Sequence, residues 1–136
     1  ANPMMSPTLT AFSQKFCGHL SGKYLDLLNF FIQSAGLSET IDRFDPERFR
    51  NLLIQQSQSQ TLLVVDRVDF LIDTWSKKER QRFYQLLQNQ WDSYKEGMKA
   101  ALALCLQTSQ EIETLRIYDS QGKSRILNLT DFYDLT

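Results

Sequence analysis

The chain has 136 residues, 42% of them hydrophobic, which is enough for one domain with its own core. Its 15 basic and 16 acidic residues leave a net charge of −1, so no general basic field favours nucleic acid. No apolar run is long enough to span a bilayer, and we expect no membrane partner.

The cysteines and the single histidine limit the chemistry. Cys17 and Cys105 lie far apart without Cys-x-x-Cys spacing, and no export signal opens the chain. We therefore predict reduced thiols in a cytoplasmic protein. With His19 as the only histidine, a histidine-rich zinc site is excluded, as is a Ser-His-Asp triad unless His19 is its base.

The first third of the chain has a helical pattern. Ser6-Pro7 is a helix-start signal, and apolar residues then recur at steps of three and four. Because Gly18 and Gly22 interrupt this run, we predict two helices, the second over about 23–34 with a glycine cap at Gly36.

The middle of the chain contains its clearest strand. The segment 38–44 is ambiguous and is consistent with a short edge strand, after which Asp45-Pro46 starts a helix. Residues 61–66 read Thr-Leu-Leu-Val-Val-Asp, and this apolar run predicts a strand buried on both faces. Its last residue, Asp66, would stand where open α/β sheets place their ligand chemistry, although aspartate is also a common turn residue.

The later elements alternate in the same way. Ser76 and Glu79 form a capping box that opens a long helix, and the apolar run 100–106 predicts a second buried strand. A second capping box at 108–111 predicts a short helix, and the turn-rich residues around Gly122 predict a C-terminal hairpin.

This order predicts a single α/β domain over 1–136, with a flexible N-terminal segment at 1–8. We expect a mainly parallel central sheet flanked by helices in three layers, with the C-terminal β-hairpin added to it. A right-handed crossover would make the two apolar strands parallel neighbours. Asp66 and residues 107–109 would then emerge side by side at the carboxyl edge of the sheet.

Three pieces of sequence resemble a small P-loop NTPase domain of the AAA-like or phage-defence type, over about residues 17–130. Gly18-His-Leu-Ser-Gly22-Lys23 resembles a shortened phosphate-binding loop that runs into a helix. The strand that ends in Asp66 resembles the strand whose carboxylate holds Mg²⁺. Gln107-Thr108, directly after the second predicted strand, resembles the polar sensor at the tip of the neighbouring strand. The resemblance implies Mg²⁺ with ATP or GTP as cofactors, phosphate contacts from Gly18, Gly22 and Lys23, a metal contact from Asp66, and a sensor role for Thr108.

The departures from that family point to a degenerate member. The loop is one residue short, Tyr24 replaces the Mg²⁺-coordinating Ser or Thr, and Arg67 stands where many members carry a catalytic glutamate. The segment before the loop is too polar for a central strand. We therefore expect weak or no nucleotide binding and no catalytic activity. The chain would act as a component of a larger assembly. A slow Mg²⁺-dependent NTPase is the third alternative.

The runner-up is a non-enzymatic protein–protein adaptor. Residues 66–74, from Asp66 to Thr74, resemble the core of a STAS domain, in which a switchable hydroxyl follows a strand. Thr74 would supply that hydroxyl, although an ordinary loop role explains it more simply. In either case a protein partner is expected.

Two other groups of residues admit functional and structural explanations. The carboxylates Asp66, Asp69 and Asp73 would share one face if helical and could bind Mg²⁺, but a solvated or salt-bridged cluster is the simpler interpretation. Trp75 and Tyr84 lie off the core stripe of their helix and would serve as exposed anchors for a partner. Interleaved basic residues offer phosphate contacts to nucleic acid, or form a solvated helix surface: Lys77, Lys78, Arg80 and Arg82.

Overall fold

The computed structural model describes residues 7–34, 41–106, 116, 118 and 121–126. Within these residues, helices and strands alternate along the chain. They are α1 (Pro7–His19), β1 (Lys23–Asp26), α2 (Leu27–Gln33), a 3-10 turn (Ile41–Arg43), α3 (Pro46–Gln56), β2 (Leu62–Asp66), α4 (Asp69–Ile72), α5 (Lys77–Asn89), α6 (Trp91–Tyr94) and β3 (Ala101–Leu104).

The three strands form a parallel sheet in the order β1-β2-β3. The predicted strands at 61–66 and 100–106 are both present, and they are neighbours, since Leu62 pairs with Ala101 and Val65 pairs with Leu104. All five residues of β2 are buried, as a central strand covered on both faces requires. The predicted α/β fold with a parallel sheet flanked by helices is therefore confirmed.

Side-chain alternation along β2 divides the core into two clusters. Leu62 and Val64 pack with Cys17 of α1 on one face of the sheet. Leu63 and Val65 point to the opposite face, into a larger cluster. That cluster includes side chains from α2, α3 and α5, namely Phe31, Phe49, Leu53, Phe83 and Leu87. The sheet is thus the middle of three layers.

Local capping signals set the ends of two helices as predicted. The Asp45 side chain accepts a 2.9 Å hydrogen bond from Arg48 N at the start of α3. Ser76 and Glu79 form both hydrogen bonds of the capping box that opens α5. These side chains satisfy backbone donors that a helix start leaves without an intrahelical acceptor.

The predicted second helix over 23–34 is wrong in its first four residues. Lys23–Asp26 form strand β1, and the helix begins only at Leu27, with Asp26 as its N-cap. Pairing with β2 decides this structure, because Tyr24 lies opposite Val64 and Leu25 opposite Val65. Such a partner about 40 positions away is invisible to a helical period read along a short window.

Several smaller predictions have mixed outcomes. In the ambiguous segment 38–44, Ile41–Arg43 form a 3-10 turn and no strand, while 35–40 lie outside the described residues. Helix α1 begins at Pro7, so the expected flexible segment 1–8 overlaps its first two residues. Of the predicted C-terminal hairpin, only an antiparallel bridge between Tyr118 and Ser124 belongs to the described part. The predicted helix after residue 108 falls outside it.

Candidate functional site

The carboxyl edge of the sheet brings together two aspartates. β1 ends in Asp26 and β2 ends in Asp66, and the two residues are direct partners in the parallel register. Asp66 is only 1% exposed, although aspartate is a residue type that is rarely buried. The sequence prediction that Asp66 lies at this edge is therefore correct, and its burial calls for compensating hydrogen bonds.

Both oxygens of the Asp66 carboxylate accept hydrogen bonds from the same chain. The hydroxyl of Tyr24 donates to Oδ2 at 2.6 Å, and the backbone N–H of Arg67 donates to Oδ1 at 2.8 Å. Burial, followed by the hydrogen bond to Asp66, raises the pKa of Tyr24 well above its usual range. Tyr24 thus keeps its proton, and the pair acts as a charge-assisted hydrogen bond.

Arg67 makes a sharp turn directly after the strand. Its φ of 60° lies in the left-handed region, which costs a residue with a Cβ roughly 1 kcal/mol. This conformation accompanies the bond from Arg67 N back to Asp66. The side chain crosses to β1, where Nε lies 3.6 Å from Oδ2 of Asp26, a loose ion pair that is one quarter exposed. The other oxygen of Asp26 accepts from Asn29 N and caps α2.

The face of the sheet that carries α1 holds both cysteines. Cys17 is buried in the cluster against β2, and Cys105, just after β3, packs against the same cluster. Burial raises the pKa of Cys105 to about 11, against a partial lowering by a hydrogen bond from Ser13. Nearby Asp66 adds to the rise. Both thiols are free, and the raised pKa keeps Cys105 protonated and weakly nucleophilic near neutral pH.

The segment proposed as a phosphate loop closes a helix and does not open one. Gly22 N donates to the carbonyl of Cys17, Ser21 N donates to that of Gly18, and Ser21 has a φ of 53°. These bonds are a Schellman motif at the end of α1. The N–H groups that would cradle phosphate therefore bind helix carbonyls, at the helix end whose dipole favours cations.

Gly22 serves close packing. A Cβ at this position would lie 2.8 Å from Cδ2 of Leu62, whereas one at Gly18 would meet nothing within 4 Å. The two glycines thus have different roles. The phosphate-loop prediction requires them to lie at a helix N-terminus, and neither does.

Lys23 and Asp66 lie at opposite ends of the sheet. Lys23 pairs with Leu63 at the start of the strands, while Asp66 pairs with Asp26 three residues further on, a separation of roughly 10 Å along the strand. Nζ of Lys23 donates a 2.8 Å hydrogen bond to Oε1 of Gln56. One mononucleotide phosphate group cannot contact both side chains in this arrangement. Thr108, the expected sensor, lies outside the described residues.

The three carboxylates that could have formed a metal site do not lie on one face of a helix. Asp66 ends a strand, Asp69 is buried at the start of α4, and Asp73 is exposed beyond that helix, so the three do not share a helical face. In the described part of the chain, no group of three or more His, Cys, Asp or Glu side chains is arranged to hold a metal ion. The Thr74 hydroxyl donates to the carbonyl of Leu71 at 2.6 Å, which is a local loop role.

The prediction that Trp75 and Tyr84 are exposed anchors is wrong. They are 4% and 7% exposed, and Nε1 of Trp75 donates a 2.8 Å hydrogen bond to the carbonyl of Phe44. Of the interleaved basic residues, Arg80 donates a hydrogen bond to the carbonyl of the buried residue Trp75. Lys77, Lys78 and Arg82 are exposed on α5.

Sequence reasoning missed Tyr24, Asp26 and Arg67 as parts of the carboxyl edge. In the sequence, Tyr24 stands out only as a departure from the P-loop pattern, and Asp26 lies within the predicted helix. In Lys-Tyr-Leu-Asp a tyrosine and a leucine precede an acid, as the apolar residues of β2 precede Asp66, and this similarity could have indicated Tyr24 and Asp26. No comparable pattern indicates Arg67.

Comparison with protein-family models, with curated proteins and with solved structures finds no match to this chain. In the part that the structure describes, no helix has the length and apolar character needed to cross a membrane.

Proposed function

We propose that this chain is a degenerate P-loop-like domain that acts as a non-catalytic component of a larger assembly, with phage defence as its cellular setting. The observation that carries the proposal is the Asp66 carboxylate at the carboxyl end of the central parallel strand. Ligand sites of open α/β sheets lie at that edge. The phage-defence setting rests on the sequence resemblance alone.

The hydrogen bonds of Asp66 support a structural role for this residue. In an active P-loop NTPase, the corresponding carboxylate would hold the metal ion. Tyr24 and the Arg67 N–H already occupy one position on each oxygen. A metal ion with its waters would have to fit among these donors, and Arg67 places a cation nearby. The cationic Lys23 is at the other end of the strands. Nucleotide binding at this edge would therefore be weak or absent, and hydrolysis absent.

Thermal unfolding with Mg-ATP and with Mg-GTP tests the nucleotide part. A ligand at a hundred times its Kd adds about 2.7 kcal/mol of stability, whereas one at or below its Kd adds no more than about 0.4 kcal/mol. We expect the smaller effect at millimolar nucleotide. A saturable stabilisation near the larger value that is lost in Lys23→Ala would contradict the proposal and restore the phosphate-loop interpretation.

Phosphate release from Mg-ATP tests the catalytic part, with Asp66→Asn as the matched variant. We expect the two proteins to release phosphate at the same background rate, because Asp66 holds no reacting group in the proposal. A rate above background that Asp66→Asn abolishes would make the chain a slow NTPase.

The assembly part is tested by the mass of the native protein in extracts of the cells that produce it. Size-exclusion chromatography with immunodetection should place the native protein at several times the mass that the same protein shows under denaturing conditions. Elution at the mass of the isolated protein would argue against an assembly role.

A further inference from the structure

The two cysteines of the chain meet in one small cluster on the α1 face of the sheet. Cys17 lies near the end of α1 and is buried together with Leu62 and Val64 of β2. Cys105 directly follows β3 and packs against the same cluster. The proposed function uses neither thiol, so their proximity needs an explanation of its own.

Ser13 connects Cys105 to the helix that carries Cys17. The buried Ser13 hydroxyl donates a hydrogen bond to the Cys105 sulfur. Ser13 and Cys17 are four residues apart in α1, so they are neighbours on one helix face, with Cβ atoms roughly 5–6 Å apart. A sulfur in contact with Ser13 therefore also lies beside Cys17. Besides burial, which is the main cause, a negative charge on Cys17 raises the pKa of Cys105, as expected for neighbouring thiols.

The side chains at this contact are small. A disulfide needs Cβ atoms about 3.5–4.5 Å apart, which requires α1 to pack closely on the end of β3. Ser13 and Cys17 on the helix face the small residue Ala103 and Cys105 on the strand side of the cluster. Rotation of the Cys105 side chain would carry its sulfur from Ser13 towards Cys17.

We propose that Cys17 and Cys105 are a redox-sensitive pair that forms a reversible intramolecular disulfide, with glutathione disulfide as the oxidant. The structure is then that of the reduced form, in which both thiols are free. In the oxidised form, the end of α1 is fastened to the end of β3, and the bond encloses all three strands in one covalent loop. This inference does not depend on the nucleotide part or the assembly part of the proposed function.

The reaction is thiol–disulfide exchange in two steps. The thiolate of Cys105, the less buried of the two residues, attacks one sulfur of glutathione disulfide, and the S–S bond breaks to release one glutathione thiolate. Cys17 then gives its proton to solvent and attacks the Cys105 sulfur, which releases the second glutathione. The two protein thiols lose two electrons and two protons, and glutathione disulfide becomes two glutathione molecules. Because burial raises the pKa of both thiols, exchange is slow near neutral pH and needs sustained oxidising conditions.

Equilibration of the full chain in mixtures of reduced and oxidised glutathione tests the pair. The reaction is started from the reduced and from the oxidised chain, continued until the two agree, and quenched by alkylation for mass spectrometry. The same measurement in concentrated urea gives the ratio of disulfide to dithiol in the unfolded chain. If the fold brings the thiols together, this ratio should be at least about tenfold higher in the folded chain, at equal glutathione concentrations. An equal or lower ratio in the folded chain would overturn the proposal, as would a mixed disulfide with glutathione or a disulfide between two chains as the main product.

Thermal unfolding gives a second measurement, with Cys17→Ala and Cys105→Ala as matched controls. The isolated oxidised parent chain should have a higher Tm than the same chain after reduction, because a native disulfide restricts the unfolded state. Neither variant can form the internal bond, so the Tm of each should not change when reductant is added. An oxidised parent chain whose Tm equals or lies below that of the reduced chain would overturn the assignment.

Discussion

The hydroxyl of Tyr24 on β1 donates a 2.6 Å hydrogen bond to Oδ2 of Asp66 on β2. The contact joins residues 42 positions apart and compensates a carboxylate that is almost completely buried. A hydrogen bond to a charged group contributes about 1.5–3 kcal/mol, more than a neutral one. The bond therefore holds β1 to the end of β2 at the candidate site.

We predict that Tyr24→Phe lowers the free energy of unfolding by about 2 kcal/mol, because it leaves one oxygen of a buried carboxylate without its donor. Urea unfolding of the variant measures this change. The double variant Tyr24→Phe with Asp66→Asn isolates the pair, and we expect a coupling of about 1 kcal/mol or more. Additive effects of the two substitutions would show that the bond contributes nothing to stability.

The two glycines of the supposed phosphate loop should respond oppositely to alanine. We predict that Gly22→Ala destabilises the protein by about 1–3 kcal/mol, because its Cβ would lie 2.8 Å from buried Leu62. Gly18→Ala adds a better helix former in open space within α1 and should stabilise by up to about 1 kcal/mol. Paired urea unfolding curves provide the comparison. Equal effects at both positions would contradict the close packing of Gly22 against Leu62.

Much of this fold could be predicted from local sequence. The run that ends in Asp66 and the run beginning near Ala101 are apolar enough to indicate buried strands, and the Ser76 capping box marks a helix start. Each of these signals lies within a few residues of the structure it specifies. The carboxyl-edge position of Asp66 follows from the strand prediction.

The features that local sequence did not predict depend on contacts between segments far apart in the chain. β1 has only four residues and leads directly into the helical residue Leu27, so its apolar residues Tyr24 and Leu25 merge with the helical pattern. Gly22 is needed because Leu62, forty positions later, packs against it. Tyr24 could not be recognised as the partner of Asp66 until β1 was known to be a strand beside β2.

Tyr94 carries a polar atom that the core does not use. Tyr94 is buried, and its hydroxyl oxygen has no hydrogen-bond partner among the described residues. We predict that Tyr94→Phe leaves stability unchanged or raises it by about 1 kcal/mol, because it removes an uncompensated polar group and keeps the ring packing. Differential scanning calorimetry measures the shift in Tm. Tyr94→Leu, which removes the ring, should be destabilising, and a loss of stability in Tyr94→Phe would mean that the hydroxyl has a partner.

Alkaline pH should weaken the fold through Cys105. Burial raises its pKa from 9.0 to about 11 in the folded chain, so the protonated thiol is favoured by folding. Below pH 9 both states carry the proton and stability is constant with respect to this group. Between pH 9 and 11 only the unfolded state loses the proton, so we predict that the free energy of unfolding falls, by about 2 kcal/mol from this group. The raised pKa values of Cys17 and Tyr24 act in the same direction.

Urea unfolding in the presence of a reductant, at pH values on both sides of this window, measures the effect. Cys105→Ala should show a smaller fall than the parent chain, because it lacks one of the groups that titrate differently in the two states. The difference between the two proteins isolates Cys105 from the other thiol and from the tyrosines. A parent chain whose stability is unchanged or rises through the window would mean that this thiol is not protected from solvent in the folded protein.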